Sequence, residues 1–296
     1  MSLHTPRFLS AILPCILLLA LVHEGALARP SRRTKNISYV PATDTAYHAE
    51  RHQLDVYAPK TSKRGLSPVV VFIHGGSWNS GNKNFYSFIG RRLARQGVVA
   101  IIINYRLAPR VRVPQMADDC ARAVLWAAAH SKEYGGDPTR LFVMGHSAGG
   151  GLAALLAADT RLFARRGQPV NPIKGVILDD PAGLDMYDYL QKQEYPGDAQ
   201  YLVPFGPEPA VWRDVSALYH VTAQMPPVLL FVGGATYPSI RSSSARFQER
   251  LRQVGRPAQY TELPGKKHVT MVLQLYWKRN IIYRQLLPFV GAHPLE

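Results

Sequence analysis

The stretch Leu141-Phe142-Val143-Met144-Gly145-His146-Ser147-Ala148-Gly149 runs from an apolar segment into a run of small residues. Its first four residues predict a buried β-strand, and residues 148–158 predict a helix of small side chains. Gly145 and Gly149 flank Ser147 in a Gly-x-Ser-x-Gly pattern, which is typical of a strained strand-to-helix turn with the serine at its tip. The stretch therefore predicts a sheet whose strands are followed by helices.

Strands and helices alternate on both sides of that turn. Continuous apolar runs at 69–73 and 98–103 are typical of parallel strands that are covered on both faces. Further strands are predicted at 176–178, 228–232 and 260–263, and helices at 85–96, 116–130, 242–253 and from 269 onward. This alternation predicts an α/β fold with a doubly wound, mostly parallel sheet. In that sheet, strand 141–144 should neighbour strand 176–178, with strand 228–232 one position further out.

Two segments interrupt the alternation. Residues 29–50 are polar and basic, and we expect them to form a loosely held leading segment. Residues 185–225 are rich in Tyr, Pro, Gly and Trp and lie between two predicted strands. This second segment is too long for a simple crossover, so we interpret it as a cap or lid inserted over the functional site.

The first 28 residues have the features of a cleavable secretory signal peptide. Arg7 precedes an apolar run at 8–22, and Ala26-Leu27-Ala28 supplies small residues at cleavage-site spacing. Cleavage after Ala28 would leave residues 29–296 as one domain in a secreted or periplasmic protein. An uncleaved N-terminal anchor is the alternative, but the apolar run is short for a membrane span. After cleavage Cys120 would be the single cysteine, so no intramolecular disulfide could form.

The chain is strongly basic, with 35 Lys and Arg against 20 Asp and Glu and a net charge of +15. Such an excess favours association with anionic surfaces such as lipid headgroups or acidic polysaccharide. The basic residues are scattered and no nucleic-acid-binding motif is present, so we expect no nucleic-acid partner. The sequence indicates no particular oligomeric state.

Three separated segments together predict nucleophilic catalysis. Ser147 is the candidate nucleophile, at the tip of its turn. His268 follows the last predicted strand, which is the position expected for a general base. The segment His74-Gly75-Gly76-Ser77 follows a buried strand, and the backbone amides of Gly75, Gly76 and Ser77 could hold an oxyanion together with the amide of Ala148.

Four motifs, in order along the chain, resemble those of the hormone-sensitive-lipase-like carboxylesterases of the α/β-hydrolase superfamily. The resemblance extends from about residue 52 to 285, and its motifs are His74-Gly75-Gly76-Ser77-Trp78, Asn104-Tyr105-Arg106-Leu107-Ala108-Pro109, Gly136-Asp137-Pro138-Thr139-Arg140 and Gly145-His146-Ser147-Ala148-Gly149-Gly150. The resemblance implies an α/β-hydrolase fold and hydrolysis of a small carboxylic ester through an acyl-enzyme, without cofactor or metal. Trp78 and the aromatic residues of segment 185–225 would then line an acyl pocket: Tyr187, Tyr189, Tyr195, Phe205 and Trp212.

The chain departs from this family at the third catalytic residue. The family's aspartate follows the strand at 228–232, where this chain has Thr236, and no Asp or Glu lies between residues 233 and 247. Asp180 is the candidate replacement, because Asp180-Pro181-Ala182 resembles the Asp-Pro-Ala of pancreatic-type lipases, in which the acid follows an earlier strand. Asp179 and Asp185 are alternatives, as is a strand-end aspartate that only caps a loop.

Two other functions remain open at this stage. Sequences with His-Gly-Gly-x-Trp also include kynurenine formamidases, so an arylformamidase is one alternative. The predicted secretory signal favours the ester, since tryptophan catabolism is intracellular. The other alternative is a catalytically dead hydrolase kept as a binding module, which the missing acid at Thr236 suggests and the intact Ser147 and His268 oppose.

Overall fold

The structure is a computed structural model that describes residues 31–60, 65–194 and 196–292. The strands in these ranges form one sheet in the order β1-β2-β4-β3-β5-β6-β7-β8. β1 and β2 run antiparallel to their neighbours, and the other strands are parallel. The strands are β1 (Ser31–Ser38), β2 (Gln53–Pro59), β3 (Ser67–Ile73), β4 (Val99–Ile103), β5 (Gly136–His146), β6 (Gly175–Asp179), β7 (Val228–Gly233) and β8 (Gln259–Leu263).

Helices cover both faces of the sheet. Within the described ranges they are α1 (Ser87–Arg95), α2 (Val113–His130), α3 (Ala148–Ala158), α4 (Arg161–Ala164), α5 (Met186–Lys192), α6 (Leu202–Phe205), α7 (Pro209–Asp214), α8 (Pro238–Gln253), α9 (His268–Leu273) and α10 (Ile281–Phe289). α1, α9 and α10 pack on one face, and α2, α3 and α8 pack on the other. Alternate residues from 69 to 73 of β3 belong to the two cores, which is why these five residues are all apolar.

The strand order places the functional segments together. β4 and β5 lie on opposite sides of β3, so the chain reverses its direction across the sheet at this point. The loops that leave the carboxyl ends of β3 and β5 diverge to opposite faces and open a crevice, which is where open α/β sheets bind ligands. His74-Gly75-Gly76-Ser77 and Ser147 follow these two strands directly. The predicted order of strands 141–144, 176–178 and 228–232 is confirmed.

One expectation about the fold was wrong. Residues 31–38 form the edge strand β1 and are not loosely held. They pair with β2, and the guanidinium of Arg33 forms an ion pair with the buried Asp55 carboxylate at 2.5 Å. An edge strand with one exposed face has no continuous apolar run, so composition does not reveal it.

Segment 185–225 contains α5, α6, α7 and two short 3₁₀ helices at Asp198–Tyr201 and Ala217–His220. The predicted signal peptide lies outside the described residues. Among the helices of the described part of the chain, none is both long enough and apolar enough to cross a bilayer.

Candidate active site

Ser147 lies at the sharp turn between β5 and α3 and adopts φ 56° and ψ −127°. This conformation is strained for a residue with a side chain, and it projects the hydroxyl away from the sheet. Gly149 makes the turn possible, because a Cβ there would collide with the backbone carbonyl of Ile73. The elbow predicted from the Gly-x-Ser-x-Gly pattern is therefore present in the backbone.

Three side chains form a continuous hydrogen-bonded chain at the carboxyl edge of the sheet. His268 Nδ1 lies 2.6 Å from Asp180 Oδ2, and His268 Nε2 lies 2.8 Å from Ser147 Oγ. Because an ionised carboxylate can only accept, Nδ1 carries the imidazole proton and donates it to Asp180. Nε2 is then the free acceptor, and the Ser147 hydroxyl donates to it.

The Asp180 carboxylate is held by the loop that follows the neighbouring strand. Its Oδ1 accepts from the backbone N–H of Gly233 at 2.8 Å, and its Oδ2 accepts a short hydrogen bond from the hydroxyl of Thr236. Asp180 itself has a left-handed backbone, with φ 50°. Thr236, which stands where the family resemblance implies the acid, thus donates to the carboxylate of the residue that follows β6. Its role as a donor was not predicted.

The two alternative aspartates lie elsewhere. Asp179 is fully buried, and neither of its carboxylate oxygens has a hydrogen-bond partner among the described residues. Burial, together with the charge of Asp180, raises the pKa of Asp179 well above its usual range. Asp185 caps α5 by accepting from the Asp188 N–H and forms an ion pair with Arg246 at 3.3 Å.

His146 is a further residue that the sequence analysis missed. Its ring stacks on that of His268, with 4.9 Å between centroids, and its Nε2–H donates to the His268 carbonyl at 3.2 Å. Burial and the charge of His268 lower the pKa of His146 to about 3. An uncharged imidazole thus supports His268 from behind. The available signal was its place directly before the serine, at the end of a strand.

The segment after β3 approaches the nucleophile closely. A Cβ at Gly75 would lie 3.0 Å from the Cβ of Ser147, and Gly76, Ser77 and Trp78 all have positive φ. Ala148 is the first residue of α3, so its amide has no partner within the helix. The expected oxyanion donors therefore surround Ser147, while their assignment to an oxyanion stays a prediction.

A cavity of about 680 Å³ opens on Ser147 and His268. Aromatic side chains line one part of it, and charged side chains line another. The aromatic residues are Trp78, Tyr189, Tyr201 and Tyr237, and the charged ones are Asp185, Asp188, Lys192, Glu194, Asp198 and Arg246. The described residues contain no group of three or more His, Cys, Asp or Glu arranged to hold a metal ion.

Three of the expected pocket residues do not line this cavity. Phe205 is buried with its ring edge-on to Trp78, and Trp212 donates its Nε1–H to the Gly206 carbonyl at 2.7 Å. Tyr187 packs against Tyr219. Phe205 and Trp212 are buried in the interior of segment 185–225, and Tyr187 is half-buried, because apolar rings bury one another where they can. Phe205 supports the cavity wall from behind Trp78. Tyr195 lies outside the described residues.

A family model described as the alpha/beta hydrolase fold matches residues 70–272. The chain belongs to the α/β-hydrolase fold family, as the motifs predicted. It is 30% identical to a probable isoprenylcysteine alpha-carbonyl methylesterase of Arabidopsis thaliana, over 76% of this chain and 50% of that protein. It is 32% identical to the esterase LipC of Mycobacterium tuberculosis, over 73% of this chain and 56% of that protein.

The chain thus spans about half the length of the curated relatives it matches. Among solved structures it is similar to esterase B from Lactobacillus rhamnosis, with a TM-score of 0.74 and 21% identity, covering 90% of this chain and 87% of that one. A truncated carbohydrate esterase from gut microbiota also has a TM-score of 0.74 at 21% identity, covering 90% and 97%. At this identity the likeness concerns the fold alone.

We expect Asp180→Asn to lower the turnover of p-nitrophenyl acetate by up to ~10⁴-fold, because an amide favours the wrong imidazole tautomer. Asp179→Asn and Asp185→Asn are matched controls and should cost far less, since neither carboxylate contacts His268. Steady-state kinetics of the three variants measure the difference. Retained activity in all three would mean that Ser147 and His268 act as a dyad.

Adding Thr236→Asp to Asp180→Asn should restore part of the lost turnover, on the order of tenfold. The hydroxyl of Thr236 binds the same carboxylate oxygen that His268 Nδ1 contacts, so a carboxylate at position 236 would be close to the imidazole. Asp180→Asn combined with Ser239→Asp is the control and should stay inactive. Equal recovery in both double variants would contradict the geometric argument.

Asp179→Asn should stabilise the protein at neutral and alkaline pH. Because the native pKa of Asp179 is raised, its ionisation does not destabilise the fold below the unfolded-state pKa of about 3.9. Above that pH, ionisation lowers the free energy of unfolding more and more as the pH rises. We expect a gain in the free energy of unfolding near pH 8, because the amide carries no charge that burial would penalise. Urea denaturation should show the gain shrinking towards pH 4. A loss of stability near pH 8 would contradict it.

Proposed function

We propose that this protein is a serine carboxylesterase that hydrolyses small carboxylic esters through an acyl-enzyme. The hydrogen-bonded chain from Asp180 through His268 to Ser147, at the mouth of a cavity, carries the proposal. The relatives named as esterases support it. A catalytically dead binding module would not require this complete hydrogen-bonded chain, so the geometry opposes that alternative.

In the proposed reaction, His268 Nε2 takes the Ser147 proton as the hydroxyl oxygen attacks the ester carbonyl carbon. The carbonyl oxygen becomes an oxyanion, which the amides of Gly76, Ser77 and Ala148 stabilise. His268 then protonates the leaving alcohol, and the acyl group remains on Ser147. Water repeats the sequence on the acyl-enzyme and releases the carboxylic acid.

Asp180 does not gain the proton in this scheme. Its carboxylate keeps Nδ1 protonated, so that Nε2 is always the nitrogen that faces Ser147, and it stabilises the imidazolium that forms transiently. Gly233 and Thr236 keep the carboxylate in this orientation by donating to it. Neutral His146 places no competing positive charge beside the imidazolium.

The proposed substrates have short or medium acyl groups. A cavity of about 680 Å³ is within the range of about 300–1,000 Å³ that holds small organic ligands. Trp78 and Tyr201 pack edge-on at 5.9 Å and offer an apolar surface close to Ser147. The charged residues of segment 185–225 lie along the same cavity and would contact a polar part of the ester.

Ser147→Ala should lower ester turnover by ~10³-fold or more, because the nucleophile is removed. The measurements are rates on p-nitrophenyl esters from acetate to palmitate, and labelling by a fluorophosphonate probe. Ser242→Ala, at another serine of the cavity wall, is the matched control and should retain both activities. An unlabelled wild type, or a Ser147→Ala protein with full turnover and unchanged circular dichroism, would overturn the proposal. N-formylkynurenine, assayed beside the esters, tests the arylformamidase.

A further inference from the structure

Exposed apolar side chains follow His268 along the surface. Val269 and Leu273 on α9 are 58% and 44% exposed, and Tyr276 and Trp277 are 48% and 61% exposed. We call these four residues the apolar patch. Val269, Leu273 and Tyr276 lie on one side of a helical stretch formed by α9 and the 3₁₀ helix Gln274–Tyr276, and Trp277 follows with an extended backbone. Met271 and Leu275, on the other side of this stretch, are fully buried. This stretch is therefore apolar on both sides, although one side faces solvent.

The backbone of the apolar patch is fixed. The side-chain amide of Asn280 donates to the Trp277 carbonyl at 2.6 Å, and Arg92 of α1 donates to the Tyr276 carbonyl at 2.8 Å. The Tyr276 ring lies between those of Phe88 and Trp277, with centroids at 6.1 and 5.7 Å. These contacts hold the aromatic rings at the surface, so their exposure does not result from a frayed end.

Positive charge is concentrated in the sequence that contains the apolar patch. The sequence has no Asp or Glu from residue 263 to 295, and it has five cations there: Lys266, Lys267, Lys278, Arg279 and Arg284. Four of them are exposed in the structure, and Lys266 is half-buried. The guanidinium of Arg92 adds a sixth positive group, 5.8 Å from the centre of the Tyr276 ring.

We propose that the apolar patch and its cations dock this protein on an anionic lipid surface. Trp and Tyr with an apolar body and a polar tip are favoured at membrane interfaces, and Lys and Arg nearby are attracted to anionic headgroups. Val269 follows His268 directly, so docking would turn the cavity mouth towards the lipid. The docking goes beyond ester hydrolysis and does not depend on it.

The observations favour lipid over two other occupants. In a symmetric dimer the same cations would face one another across the interface, and their repulsion opposes association. An acidic polysaccharide would neutralise the cations but would leave the four apolar side chains in water. A lipid surface can bind both the apolar patch and its cations, since the anionic headgroups contact the cations while the acyl boundary buries the apolar side chains.

The test is co-sedimentation of the full chain with vesicles of phosphatidylcholine alone, or of equal parts phosphatidylcholine and phosphatidylglycerol. We expect binding to the anionic vesicles and none to the neutral ones. Leu273→Asp/Trp277→Asp should weaken binding by about tenfold or more, because charges replace the inserted groups. Salt of about 1 M, where the Debye length is about 3 Å, should weaken binding in the wild type.

Leu66→Asp/Val170→Asp is the matched control. It removes two exposed apolar side chains and adds the same charge, near the amino ends of β3 and β6 and away from the site. The control should bind like the wild type, and both double variants should hydrolyse soluble p-nitrophenyl acetate at wild-type rates. The proposal would be overturned if the two double variants lost binding equally, or if the wild type did not bind anionic vesicles. A concentration-dependent dimer that is abolished by Leu273→Asp/Trp277→Asp would also overturn the proposal. Binding to polygalacturonate that is weakened by the same double variant to the same extent would overturn it too.

Discussion

The carboxylate of Asp180 joins the loops on which the candidate site depends. It accepts hydrogen bonds from the Gly233 amide at the end of β7, from Thr236 beyond that strand, and from His268 after β8. Hydrogen bonds to a charged group are each worth about 1.5–3 kcal/mol when buried. The loops after β6, β7 and β8 are separated in sequence, so this one carboxylate fixes His268 relative to the sheet and hence relative to Ser147.

The position of Asp180 indicates that the candidate site constrains geometry more tightly than sequence. An acid after β6 or after β7 can reach the same imidazole nitrogen, because the carboxyl ends of adjacent parallel strands lie about 4.8 Å apart. With the acid on β6, the position after β7 needs a donor, which Thr236 supplies. A carboxylate after β6 instead of after β7 keeps one negative charge in the site. That charge accepts hydrogen bonds from the Thr236 hydroxyl and the Gly233 amide.

The inner parallel strands could be predicted because both of their faces are buried, which gives residues 69–73 of β3, and the strands β4 and β7, apolar sequences. The strand order then indicated Asp180. β1 could not be predicted in this way, since its composition resembles that of a loop. The aromatic residues of segment 185–225 were expected to line the substrate pocket, but amino-acid composition does not indicate which way a side chain points. Phe205 and Trp212 face the interior of the segment. Tyr201 and Tyr237, which were not predicted as pocket residues, line the cavity.

The arrangement of the sheet also determines how the protein can be attached to a solid support. β1 and β8 are its two edges, and seven strand spacings of about 4.8 Å separate them by roughly 34 Å along the sheet. The site and α9 belong to the half of the sheet that ends at β8. A linker joined near β1 would therefore leave the candidate site facing away from the support, whereas coupling through Lys266 or Lys267 beside His268 would block it.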